Sequence, residues 1–423
     1  MTSEPIDPSR LAAANGPVWL HVGTLIDGAS TSAAHDVHVV YNASSVLFIG
    51  RAGLTPPRAL LREGQSTPDV VAPESTLLPG LTDAHVHLFL DGAELDLGRR
   101  AEQVRRPLAE LLPAATKRLE KLLDSGVIAV RDAGDKQGVG LALNRLSRSA
   151  AAPMPYLDSP GAGIHRKGRY GSFMGGALDD FDSPEACVAS RIEAGAARIK
   201  IIATGIIDFR AGTITSEPQM RTDELARIVA AARAAGLQTL AHASGDAGIE
   251  RVIDAGVDSV EHGYFVRDDQ LARMRDLGIA WVPTFAPLHQ QIAHADVMGW
   301  DSRTVDNIRR ILDGHAASLR RAHELGVIIV AGSDAGSFGV AHGSGLHLEL
   351  ELMVAAGLPD LAVINSATGA GAARFEYRER FGLIAEGYRP RFILSHGSGT
   401  TVPETGTPLF DGQVRGLGSQ ASN

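Results

Sequence analysis

One cysteine, Cys187, stands among 423 residues. No internal disulfide can form, and thiolate metal sites are excluded. Cys187 falls in the helical pattern Ser183-Pro184-Glu185-Ala186-Cys187-Val188 and reads as a small apolar side chain rather than a nucleophile. No apolar run approaches the ~20 residues of a membrane span. Basic tracts are absent too, and the formal net charge of -9 argues against nucleic acid or an anionic membrane as partner. Residues 1–10 are polar, contain two prolines and lack the charged-then-apolar layout of a signal peptide, so a cytoplasmic location is expected.

What remains is an ordinary globular composition, 44% hydrophobic and 21% charged. The length suits a large α/β barrel with a small appendage better than one ordinary domain. The 47 glycines fit many tight turns between short elements.

Along the chain, three short β-like runs come first: Val18 to Val22, Val37 to Tyr41 and Ser45 to Ile49, separated by Gly, Asn and Ser. His21, His35 and His38 fall here and read as structural or surface residues. From residue 81 the pattern changes. Apolar runs recur at Leu81 to Leu88, Val127 to Asp132, Met154 to Gly161, Ala197 to Ala203, Leu237 to Ala243, Val257 to His262, Ile279 to Thr284 and Gly326 to Asp334. Helical patterns lie between most of them, with start and stop signals such as Ser183-Pro184-Glu185 and Gly195, or Thr222-Asp223-Glu224 and Gly236. Eight strands with crossovers predict a (β/α)8 TIM barrel, an α/β fold. The segmentation expected is 1–79 for the N-terminal part of a small β-sandwich domain, 80–384 for the barrel, and 385–423 for the C-terminal part of the small domain and a loosely ordered tail.

The stretch Leu78-Pro79-Gly80-Leu81-Thr82-Asp83-Ala84-His85-Val86-His87 carries two histidines two apart on a strand, on one face. Asp83 shares that face. Barrel active sites lie at the C-terminal strand ends. Polar residues near those ends include His85 and His87 on the first strand, Lys200 on the fourth, His242 on the fifth, His262 on the sixth and Asp334 on the eighth. Alone, each has a plain structural role; together, they place four imidazoles, a carboxylate and a lysine on one rim, a metal-binding set. Lys200 as an ammonium among metal ligands is repelled and costly to bury. Two readings follow: a carbamate formed with CO2, whose oxygens could bridge two metals roughly 3.5–4 Å apart, or an unmodified lysine holding an anionic substrate over a single metal.

These motifs, with Ile199-Lys200-Ile201-Ile202-Ala203-Thr204-Gly205, Glu261-His262-Gly263 and Gly332-Ser333-Asp334-Ala335-Gly336, resemble the amidohydrolase superfamily. Within it the chain is similar to the branch of imidazolonepropionase-like enzymes and prolidase-type dipeptidases with a carboxylated lysine. The resemblance implies two divalent metals, zinc expected. His85, His87 and Asp334 would bind the first, His242 and His262 the second, and Lys200, as a CO2-derived carbamate, would bridge them. Arg389-Pro390-Arg391-Phe392 departs from the usual Ala-Asp-Leu run after Gly387 and leaves the detail of the small domain open.

The expected activity is hydrolysis of an amide bond by a metal-bridged hydroxide, with Asp334 as general base and then acid. The substrate is a small molecule. The cationic loop Gly163 to Tyr170 suits a substrate carboxylate, and His165, Arg169 and Tyr170 are its candidate contacts, with Tyr264 as partner. Phe285 and Leu288, with Met298 and Trp300, are read as an apolar wall. An N-acyl amino acid or dipeptide with an aromatic or apolar part follows, ochratoxin-like amides included, which makes the enzyme dipeptidase- or carboxypeptidase-like. Two alternatives stay open: hydrolysis of another ester-type bond (lactone, carbamate or phosphotriester) on the same site, and a non-enzymatic scaffold protein. A homo-oligomer is expected. His342, just past the eighth strand, has no assigned role.

Overall fold

The computed structural model describes residues 16–149, 154–375, 377, 379–396, 406–410 and 413–414. Residues 1–10 and the tail from 415 lie outside it. Among the described residues no helix is long and apolar enough to cross a membrane.

The chain opens with β1 (Val18–Leu25), β2 (Ala34–Tyr41), β3 (Val46–Gly50) and β4 (Val70–Pro79). β4 did not announce itself in the sequence, because Pro73 interrupts its run. The sheet accommodates that proline by a register shift opposite it, between Val22 and Thr24 of β1. Gly23 is required there, since a Cβ would stand 1.7 Å from the Pro73 carbonyl oxygen. β4 runs on through Gly80 into β5 (Leu81–Val86), the first barrel strand. A side chain at Gly80 would meet Ile128 at 2.3 Å, so this crossing between the two units also needs glycine.

Further strands are β6 (Val127–Asp132), β7 (Tyr156–Asp158), β8 (Gly163–His165), β9 (Gly175–Ala177), β10 (Ile199–Ile202), β11 (Thr239–Ala243), β12 (Ser259–His262) and β13 (Ala280–Val282). The last three are β14 (Arg391–His396), β15 (Gly406–Phe410) and β16 (Gln413–Val414). These three join β4, β1, β2 and β3 in one seven-stranded sheet, so both ends of the chain build the small unit. Its core is Val18, Leu20, Val22, Val37, Val39 and Tyr41 packed on Leu77, Phe392 and Leu394.

The barrel closes strand by strand. β5, β6 and β7 pair in parallel, as do β10, β11, β12 and β13. Of the third run, expected over Met154 to Gly161, only β7 is a strand, and it pairs with β6; a second short strand, β8, follows beyond Gly161 and pairs with β10 through Ile164 and Ile201. The eighth strand makes isolated parallel bridges rather than a ladder, Trp281 with Ile329 and Val86 with Ala335. Asp334 N–H donates to His85 O (2.7 Å) and His87 N–H to Ala335 O (2.7 Å), which completes the circle. Close approach explains the irregular backbone: a Cβ on Gly332 would lie 2.9 Å from His85 N.

Helices cover the outside. Leu108–Asp124 shows the logic, burying Leu111, Ala115, Leu119 and Leu122 at spacings of three and four. Strands covered on both faces read as continuous apolar runs, and every residue of β5, β6, β10, β11 and β12 is buried.

Candidate metal centre

Local backbone geometry aims the site. His262 (φ 68°), Thr284 (φ 55°) and Asp334 (φ 55°) all adopt the left-handed region, which a non-glycine residue occupies at a cost of about 1–3 kcal/mol. His262 ends β12, Thr284 follows β13 by two residues, and Asp334 lies in the bridge-forming segment that closes the barrel. For Thr284 the β-branch makes this a marked departure.

His85, His87, Lys200, His242, His262 and Asp334 line a single cavity of about 460 Å³. The His85 and His262 rings lie 4.9 Å apart between centroids, and those of His242 and His262 lie 4.7 Å apart. His85, His87 and Asp334 each offer a ligand atom, all within 4.8 Å of one another. Asp334 Oδ1 stands 3.4 Å from His87 Nε2 and 3.7 Å from His85 Nε2.

The hydrogen bonds select the tautomers. Carbonyls and carboxylates only accept, so a ring nitrogen facing one carries the proton. His85 Nδ1 donates to Glu261 Oε2 (2.6 Å), His87 Nδ1 to Gly134 O (3.3 Å) and His242 Nε2 to Gly205 O (3.2 Å). His262 Nδ1 meets Thr284 Oγ1 at 2.7 Å. The opposite nitrogens of His85, His87 and His242 therefore present lone pairs. His85 Nε2 and Asp334 Oδ1 are buried with no hydrogen-bond partner among the described residues. Such orphans cost free energy unless something fills the gap between them, and a divalent cation fits this donor set of imidazole and carboxylate.

Electrostatics agree. Burial, with the Lys200 charge adding to it, pushes His87 and His242 down to about 3, and burial holds His85 and His262 well below the ordinary histidine range. All four imidazoles are neutral near pH 7, the form that binds metal. Burial raises Asp334 to about 7 and lowers Lys200 to about 8. The Lys200 amine is buried and makes no hydrogen bond or ion pair with the described residues.

Outer contacts fix these groups. Glu261 Oε1 accepts from Arg131 Nη2 (2.7 Å) and Ser259 Oγ (2.6 Å), so one buried carboxylate ties His85 to a buried guanidinium. Asp83 does not join the ligand group. Its carboxylate accepts from Ser333 N–H (2.9 Å) and Ser333 Oγ (2.5 Å), locking the first strand to the eighth. Sequence reading missed Arg131, Ser259 and Thr284. Glu261 was visible beside His262, but its partner His85 is 176 residues away.

Of the candidate substrate contacts, Tyr170, Tyr264 and Leu288 line the cavity. The Tyr264 hydroxyl donates to Thr284 O (2.6 Å), leaving its ring as wall. His165, Arg169 and Phe285 are not among the described lining residues. His165 is the last residue of β8 and is buried, its Nδ1 bonded to Arg166 O (2.8 Å). Arg169 Nη2 donates to Glu217 O (2.6 Å), and Phe285 packs on His315. The lining also includes Leu90, Val104, Arg100 and Phe338, none of them expected. His342 is buried outside the described lining.

The sequence matches the amidohydrolase family over residues 76–413. It is 28% identical over 281 residues to an uncharacterized protein of Mycobacterium tuberculosis, covering 65% of this chain and 68% of that protein. It is 26% identical over 372 residues to ochratoxinase of Aspergillus niger, covering 82% of this chain and 74% of that one. Among solved structures, a Xaa-Pro dipeptidase with methionine bound in its active site aligns at a TM-score of 0.75 with 26% identity, over 95% of this chain and 100% of that one. The A. niger ochratoxinase structure aligns at a TM-score of 0.77 with 22% identity, over 94% and 95%.

Proposed function

The chain belongs to the amidohydrolase family of metal-dependent hydrolases, and from that premise we propose that it cleaves the amide bond of an N-acyl amino acid or dipeptide with an aromatic or apolar part. The observation that carries the reading is the cavity itself, lined by the candidate metal-ligand side chains together with apolar residues such as Leu90, Val104, Leu288 and Phe338. The names of two similar proteins, a Xaa-Pro dipeptidase and an ochratoxinase, support an amide as the scissile bond.

His85, His87 and Asp334 would hold one cation and His242 and His262 a second, and Lys200, as a carbamate, would add a further ligand. Divalent cations bound there supply Lewis acidity to the scissile carbonyl and make water acidic enough to attack near neutral pH. The protein does the rest. Asp334 Oδ1 takes the proton of the attacking water and returns it to the leaving nitrogen, while Ser337 Oγ, donating to Oδ2 (2.9 Å), keeps the carboxylate oriented. Glu261 and Thr284 keep His85 and His262 in fixed rotamers. Leu288 and the rings of Tyr170 and Tyr264 exclude water and pack the apolar part of the substrate.

The test is a panel on zinc-loaded protein: N-acyl amino acids and dipeptides beside lactones, carbamates and phosphotriesters. Amides are expected to give the highest kcat/KM, and Asp334→Asn to lower kcat about 10²–10⁴-fold when compared at zinc concentrations that load both proteins to the same metal content. Turnover of the other bond types without amides, or a variant that keeps most of its kcat, overturns this function.

A further inference from the structure

The cationic loop Gly163 to Tyr170 read as a carboxylate clamp, but Arg166 and Lys167 are already paired with carboxylates, and Arg169 is exposed and does not line the cavity. Arg166 pairs with Asp179 (3.1 Å) and Glu224 (2.7 Å), Lys167 with Asp180 (3.2 Å), and the Arg169 guanidinium donates to the Glu217 carbonyl. If the substrate carries a carboxylate, its partner must stand elsewhere.

Inside the cavity, among the described lining residues, only Arg100 and Lys200 are cationic. Arg100 belongs to the helix Leu97–Gln103, entered by the loop that follows the first barrel strand. Its guanidinium donates to three backbone carbonyls: Asp91 O (2.6 Å) and Glu94 O (3.3 Å) from Nη1, and Gly336 O (2.8 Å) from Nη2. Carbonyls orient the group but bring no countercharge. The neighbouring acids are taken, Asp91 by Arg118 (3.5 Å) and Glu94 by Arg99 (2.6 Å). No carboxylate of the described residues forms an ion pair with Arg100. Nε–H and one Nη2–H are left for a ligand, out of five donors. The Phe338 ring, centred 5.8 Å from the guanidinium carbon, supports the fork from one side. The Asp91, Glu94 and Asp334 carboxylates act on its charge from a distance, but none of them pairs with it. A half-buried, pre-oriented guanidinium with no direct ion pair among the described residues, in a cavity lined by Leu90, Val104 and Phe338, is suited to take an anion.

Its place decides which anion. Arg100 holds Gly336 through Nη2 (2.8 Å), and Gly336 lies two residues, roughly 7 Å of chain, beyond Asp334, the residue that protonates the leaving nitrogen. We propose that Arg100 is the specificity-determining anchor for the α-carboxylate of the leaving amino acid. The enzyme then releases a C-terminal residue bearing a free carboxylate and an apolar side chain, as a carboxypeptidase does, and rejects the corresponding neutral amide. This rests on the amide-hydrolase reading for its substrate class.

Two inert probes separate the inference from that reading: hydrocinnamate, an apolar carboxylate, and hydrocinnamyl alcohol, its neutral counterpart. Both are titrated by calorimetry into zinc-loaded wild-type, Arg100→Met and Arg100→Lys proteins. The wild type is expected to bind the acid about 10- to 100-fold tighter than the alcohol. Arg100→Met abolishes that preference and leaves the alcohol within about threefold, and Arg100→Lys restores part of it. A preference that survives in Arg100→Met overturns the proposal, because the metals would then be the anion site. Equal loss of both probes also overturns it, making Arg100 only a brace between loops. If the binding pattern holds but no amide is hydrolysed, the anchor stands and the reaction reading falls. Amide turnover with Arg100→Met unchanged toward the acid gives the converse.

Discussion

Asp334→Asn makes a stability prediction independent of turnover. In the metal-free protein Asp334 is a buried carboxylate whose Oδ1 has no hydrogen-bond partner among the described residues, and burial raises it from 3.8 to about 7. A group whose folded pKa lies above its unfolded value contributes stability in full below the unfolded pKa. That contribution is lost as pH rises through the folded one. The window is therefore pH 3.8 to about 7, and at about 1.4 kcal/mol per pH unit the loss is about 4 kcal/mol. Roughly 2.5 kcal/mol of it falls between pH 5 and pH 8. Asparagine has nearly the same shape. Its amide oxygen can keep the bond from Ser337, and its nitrogen can donate toward His87 Nε2, now 3.4 Å from Oδ1. Metal-free Asp334→Asn should thus be more stable than metal-free wild type at pH 8, with the gap narrowing toward pH 5. With zinc bound the order should reverse, because the cation supplies the countercharge that asparagine cannot use. Guanidinium unfolding at several pH values, with and without chelator, reads this directly. Buried Asp83, Asp132 and Glu349 are raised as well, so the wild-type curve alone is not diagnostic; the difference between the two proteins is. Parallel curves for the metal-free pair would refute the premise that the Asp334 carboxylate is buried without a partner.

Two more changes probe the same centre. Glu261→Gln places an amide NH2 against either His85 Nδ1–H or Arg131, and the buried guanidinium loses its charge partner; zinc affinity should fall about 10–100-fold and stability by about 3 kcal/mol, read by competition with a chromogenic chelator and by denaturation. Retained zinc affinity would mean His85 needs no orienting carboxylate. Lys200→Met keeps the volume but removes the bridging group, so metal content should drop from about two to about one per chain by elemental analysis; two tightly held metals in this variant would exclude Lys200 as a ligand.

The sequence by itself determined which residues could form the centre. His85, His242 and His262 lie in or at the ends of apolar runs, and period-two alternation and strand-end position are local properties that a one-dimensional pattern carries. The barrel was legible for the same reason. The tertiary structure alone decided what these residues face. Which ring nitrogen carries a proton depends on Glu261, Gly134 and Gly205, partners 37 to 176 residues distant. The left-handed backbone at His262, Thr284 and Asp334 left no mark in residue type, since it is imposed by surrounding packing. The cationic loop looked like a substrate clamp until Arg166 and Lys167 met Asp179, Asp180 and Glu224, while Arg100 carried no signal in the sequence and is tied to the site only because the fold carries the Gly336 carbonyl to it. A charge is free or engaged only by virtue of what lies within a few ångströms, and those neighbours come from across the whole chain.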